Sequence, residues 1–142
     1  GIGAGGIDLR RVSVPLVTYG SEITKVPEHA EQMGFIPHLE EEMYSAKVLV
    51  VQGGFSSVSE AIAARRPVVV LPIPGHAEQM MNAIEIEKLG IGKVSTPDKA
   101  SETVMEVYEN AGVYEEAIRQ TKLPVNGATK TAEKIIQLLS SL

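Results

Sequence analysis

At 142 residues with a formal charge of −5, the chain has the length of one domain and lacks the basic stripe that broad binding to a nucleic-acid backbone requires. It contains no cysteine, which excludes a disulfide framework, a thiolate zinc site and a cysteine nucleophile, and makes a reducing cytoplasm the easiest setting. No apolar run approaches the roughly 20 residues of a membrane span, and the first residues lack the charged-then-apolar plan of a signal peptide, so the sequence reads as soluble.

The chain opens with GIGAGGIDLRR, which carries a G-x-G-x-x-G pattern from Gly1 to Gly6. With no strand before it, that pattern is weak evidence for a dinucleotide site, and residues 1–11 read as a flexible end. VSVPLVTYG, Val12 to Gly20, reads as a strand although Pro15 speaks against it, and AEQMGFIP, Ala30 to Pro37, ends in another. His29 reads as a surface residue. His38, Glu40, Glu41 and Glu42 resemble a metal cluster only in composition, and a solvated helix face with acids near its N-terminus explains them without a metal.

KVLVVQ, Lys47 to Gln52, and PVVVLPI, Pro67 to Ile73, are continuous apolar runs, the signature of strands covered on both faces. Between them SVSEAIAARR, Ser57 to Arg66, reads as a helix, and after them HAEQMMNAIEIEKLG is a helical segment that stops at Gly90. Met80 and Met81 read as core filling. Beyond Thr96 the pattern is helical throughout, in SETVMEVYENAG, VYEEAIRQ and TKTAEKIIQLLSSL. Strand and helix in alternation predict an α/β fold: a Rossmann-like parallel sheet with right-handed crossovers, helices on both faces and a helical C-terminus.

In such folds ligands bind where loops leave the carboxyl ends of strands. VVQGGFSSVSEA, Val50 to Ala61, is one such loop. Gly53 and Gly54 allow a ligand to approach the backbone, the N–H groups of the next helix favour an anion, and Ser56 and Ser57 add hydroxyl donors. A capping box formed by Ser57 and Glu60 explains part of the same stretch without a ligand. The second loop, PGHAEQMMNA, brings Gly75, His76, Glu78, Gln79 and Asn82 to the same edge, with a carboxylate and two amides suited to hydroxyl-rich ligands. His76 is equally readable as an ordinary loop residue or as a donor-site contact. A phosphate subsite beside a polyol subsite suggests a nucleotide sugar.

The ordered elements G-F-x-P, G-G-x-x-S-x-x-E, the Pro-apolar strand, E-Q-x-x-N-A and L-G-x-G between Gly34 and Val94 resemble the donor-binding C-terminal domain of GT-B glycosyltransferases. The chain is similar to UDP-glucuronosyltransferases and to the N-acetylglucosaminyltransferase of peptidoglycan synthesis. The resemblance implies that Phe35 and Ile36 border the base, that Gln52, Gly53, Gly54, Ser56 and Ser57 hold the diphosphate, and that Glu60 accepts from the ribose hydroxyls. It also implies that Glu78 and Gln79, helped by Asn82, hold the sugar, with Gly75 and His76 beside them. Gln52 stands where many members have histidine, so a neutral amide replaces a cationic contact. Glu78-Gln79 stands where Asp-Gln is common, and its extra methylene reshapes the sugar pocket.

The resemblance further implies a UDP-sugar donor, either a UDP-hexose or a UDP-N-acetylhexosamine, with no separate cofactor and no metal. The reaction would be displacement at the anomeric carbon by an acceptor hydroxyl. The family places acceptor binding and the catalytic base in an N-terminal domain that is not in residues 1–142, so the partner expected is such a domain or subunit, through which the enzyme could associate with the cytoplasmic membrane face. A nucleotide-sugar 2-epimerase and a non-catalytic nucleotide-binding module share these features. Measuring UDP release with and without acceptor separates the three.

Overall fold

The computed structural model describes residues 6–20, 23–52 and 55–121, without the side chains of Glu40 and residues 55–58. Gly1–Gly5 of the opening glycine pattern, Gly53, Gly54 and the helix expected within 122–142 lie outside the described residues.

Two short strands, β1 (Val17–Thr18) and β2 (Glu31–Gln32), pair in parallel. Three more, β3 (Leu49–Val51), β4 (Val68–Val70) and β5 (Gly92–Val94), form a second parallel sheet in that order, with Val50, Val69 and Lys93 in register. The helices are α1 (Leu39–Ser45), α2 (Phe55–Ala63), α3 (Ala77–Leu89), α4 (Ala100–Glu109) and α5 (Ala111–Gln120), with a 3-10 turn over Pro97–Lys99. The α/β class and the parallel pairing are those the sequence predicts, except that among the described residues the strands fall into two sheets rather than one. Helix α2 carries the chain from β3 to β4 and α3 from β4 to β5, the crossovers that parallel neighbours need.

The central strand explains why its sequence does not alternate. Val68 and Val70 face a cluster with Ala61, Ala83, Ile86, Ile91 and Ile118, while Val69 and Leu71 face another with Leu9, Val12, Ala100, Val104 and Val107. With helices on both sides, each side chain of β4 is buried, and each buried valine contributes about 1.5–3 kcal/mol of transfer free energy. Helix α3 ends at Gly90, whose left-handed backbone lets its N–H return to Glu87 and Ile86.

Three expectations are corrected. From Ile7 onward the N-terminal segment is packed, not a flexible end: Ile7 and Leu9 are buried, and the N–H groups of Asp8 and Leu9 donate to the carbonyls of Pro97 and Lys25 at 2.8 Å each. The buried Ser101 hydroxyl donates to the Asp8 carbonyl at 2.8 Å and accepts from the Arg11 N–H at 3.2 Å, tying the segment to α4. The apolar residues of IDLRRV supply the burial that fixes it. Second, α2 begins at Phe55, so Ser57 lies inside its first turn and cannot be the N-cap of a Ser57–Glu60 capping box. Third, Met80 and Met81 are 44% and 70% exposed, because Ala83 and Ile86 form the inward face of α3, with Met81 on its other side and Met80 at the flank. Strand β5 was not foreseen, since Gly92 and Lys93 have low strand propensity.

Candidate functional site

Every expected site residue that the structure describes lies at or just beyond the carboxyl end of a strand, or on the helix that follows it. Gly34, Phe35 and Ile36 follow β2, Gln52 follows β3 and leads to Glu60 on α2, and Gly75 to Asn82 follow β4 and open α3. Gly53 and Gly54 lie outside the described residues, as do the side chains of Ser56 and Ser57, whose backbone belongs to the first turn of α2.

The β1 and β2 ends are locked together. Met33 donates to the Thr18 carbonyl at 2.9 Å and Gly20 donates to the Gly34 carbonyl at 2.7 Å, while the Gln32 side-chain oxygen accepts from the Ile23 N–H at 3.0 Å. These bonds set Phe35 beside Gly20, where an added Cβ would lie 3.7 Å from the ring. The ring is 78% exposed, an apolar plate at the carboxyl end of β2, whereas Ile36 next to it is half-buried. Tyr19, missed in the sequence reading, donates from its hydroxyl to a Glu42 carboxylate oxygen at 3.2 Å. Desolvation and then that bond hold its ionisation above the ordinary tyrosine range. Glu42 of α1 therefore braces this edge, Glu41 is exposed, and His38 begins the helix in a left-handed conformation. His29 is exposed, with its Nε2 2.8 Å from the Val14 carbonyl.

The β4 end is built differently. Leu71 donates to the Val51 carbonyl at 2.7 Å, which extends the ladder, and the chain then turns through Pro72-Ile73-Pro74-Gly75-His76. Two of these five residues have no N–H. Gly75 has φ of 88°, and nothing lies within 4 Å of an added Cβ, so the backbone conformation rather than space calls for glycine. His76 donates to the Ile73 carbonyl at 3.1 Å, and the Ile73 N–H donates to the Gln79 side-chain oxygen at 2.8 Å. His76 stands at the N-cap of α3 without a side-chain cap bond. Glu78 and His76 are exposed, and Gln79, Asn82, Glu60 and Gln52 are half-buried. Polar groups are thus presented on a packed, hydrogen-bonded edge, an arrangement suited to binding a polar ligand by hydrogen bonds. Among the described residues, no group of three His, Asp or Glu side chains is placed to hold a metal.

The pattern of glycosyl transferase family 1 matches residues 9–110 of this chain. The chain belongs to glycosyl transferase family 1. Among relatives of this family-1 chain, an uncharacterized UDP-glucosyltransferase, YojK of Bacillus subtilis, is 33% identical over 124 residues, 82% of this chain and 30% of the relative. An N-acetylglucosamine transferase acting on N-acetylmuramyl-(pentapeptide) pyrophosphoryl-undecaprenol, from Methylorubrum extorquens, is 30% identical over 86 residues, 56% of this chain and 23% of the relative. Among solved structures, the glycosyltransferase SnogD of Streptomyces nogalater superposes with a TM-score of 0.66 at 17% identity, covering 96% of this chain and 38% of that one. MurG of Acinetobacter baumannii gives 0.63 at 18%, covering 94% and 48%. These likenesses establish the GT-B glycosyltransferase fold for the family-1 chain, which spans about a third of the length of the relatives it matches.

Proposed function

We propose that this family-1 chain is the donor-binding part of a glycosyltransferase that moves a sugar from a UDP-sugar, a UDP-hexose or a UDP-N-acetylhexosamine, to an acceptor hydroxyl. The observation that carries the reading is the placement of the Phe35, Gln52 and Gly75–Asn82 loops at carboxyl strand ends in a chain whose family is that of glycosyltransferases. Phe35 would stack on the base with Ile36 beside it, and Glu60 would accept from the ribose. Gln52, Gly53, Gly54, Ser56 and Ser57 would hold the diphosphate and stabilise charge on it as it leaves. Gly75, His76, Glu78, Gln79 and Asn82 would line the sugar side. Acceptor binding and the catalytic base would come from another domain or subunit.

Calorimetric titration with UDP tests the reading. Phe35 is exposed, so Phe35→Ala should leave the thermal midpoint nearly unchanged while weakening UDP binding by about 1–3 kcal/mol, the size of one base–aromatic stack. Equal UDP affinity in the folded variant would remove Phe35 from the site. No measurable UDP affinity in the wild type would overturn the reading itself.

A further inference from the structure

The Gln79 side chain already has a partner, and that partner is backbone. Its Oε1 accepts from the Ile73 N–H at 2.8 Å, across six residues, and so closes the turn between the end of β4 and the first turn of α3. Within Pro72-Ile73-Pro74-Gly75-His76, both prolines lack a donor, Gly75 adopts φ of 88°, and His76 donates to the Ile73 carbonyl at 3.1 Å. Ile73 is therefore the junction of the loop, with its carbonyl taken by His76 and its N–H taken by Gln79. The cap of α3 adds no side-chain bond, and Gln79 ties the turn to the helix through its side chain.

We propose that Gln79 is a positioning residue: its amide oxygen holds the Ile73–His76 loop in the path that presents Gly75 and His76 to the donor. Toward a ligand its NH2 group can donate, and the second lone pair of Oε1 can still accept. The claim rests on the donor-site reading above. It differs from that reading in making Gln79 act through the loop rather than through a sugar contact.

The test compares the wild-type chain with Gln79→Ala and Gln79→Glu, the latter keeping an acceptor oxygen while losing the amide donors. Two quantities are read: hydrogen exchange at the Ile73 and His76 amides, and affinity for UDP and UDP-glucose. In Gln79→Ala the Ile73 amide should exchange at least tenfold faster, with UDP-glucose binding at least fivefold weaker. Gln79→Glu should restore the protection and recover most of the lost affinity. Unchanged Ile73 exchange in Gln79→Ala, or faster exchange with full UDP-glucose affinity, would overturn the proposal. So would Gln79→Glu with wild-type exchange but the alanine variant's affinity, since Gln79 would then act by donating to the ligand. A wild type that binds neither nucleotide would overturn the donor-site reading and the ligand half of this inference, and the exchange data would still decide whether Gln79 holds the loop.

Discussion

At Gly92 the sheet and helix α3 approach each other with no room for a side chain. A Cβ there would lie 2.1 Å from the Val68 carbonyl oxygen, 2.7 Å from Val68 Cγ1 and 3.0 Å from Ile86 Cγ2, and the first of these is backbone that cannot swing away. Gly92→Ala should therefore cost about 3 kcal/mol or more of unfolding free energy, by displacing β5 or breaking its pairing with β4, as denaturant titration would measure. Asp8 supplies a pH test. Hydrogen bonds from the Arg10 side chain, and then from its backbone N–H, hold the Asp8 carboxyl well below the usual carboxylate range. A group depressed in the folded state contributes stability that is present above its unfolded pKa near 3.9 and is lost as pH falls below it. Acid titration of thermal stability should thus be shallower below about pH 4 in Asp8→Asn than in the wild type, and an identical acid limb would show that the exposed pair contributes nothing to folding.

Among the elements, α3 carries candidate site residues at one end and its packing along one side. Ala83 and Ile86 face β4 and β5, and Met81 and Ile84 face outward. Ile86→Ala should cost about 2–5 kcal/mol, while Ile84→Gln should stay within about 0.5 kcal/mol of wild type; a reversal in denaturant unfolding would mean that α3 is rotated. The same helix shows what sequence can tell. Its span and its stop at Gly90 are readable from helix formers and a C-terminal glycine, but the inward face is not, because Met80-Met81 and Ala83 give no clear apolar stripe. Strand β4 was readable because burial on both faces demands an unbroken apolar run. Strand β5 was not, because pairing with β4 imposes extended backbone on Gly92-Lys93-Val94 against local preference. The packing of Ile7 and Leu9 escaped a reading that gave weight to the glycines before them. The placement of the candidate loops after strand ends was legible, whereas the Ile73–Gln79 bond depends on a turn geometry that spacing alone does not reveal.

For the molecule as a whole, parallel strands and right-sized crossovers put the Phe35, Gln52 and Gly75 loops at strand carboxyl ends and leave the opposite ends to packing and chain connections. Among the described residues no helix is long and apolar enough to cross a membrane. The central claim is that the loop-bearing edge binds the nucleotide of a sugar donor. A titration of UDP into the isotopically labelled chain, followed residue by residue through its backbone amide signals, tests it most directly. Saturable shifts are expected at Gly34, Phe35, Ile36, Gln52, Glu60 and the Gly75–Gln79 turn, with little change at the opposite strand ends around Lys47, Val48 and Ile91. Shifts centred on those opposite ends, or none at millimolar UDP, would contradict it.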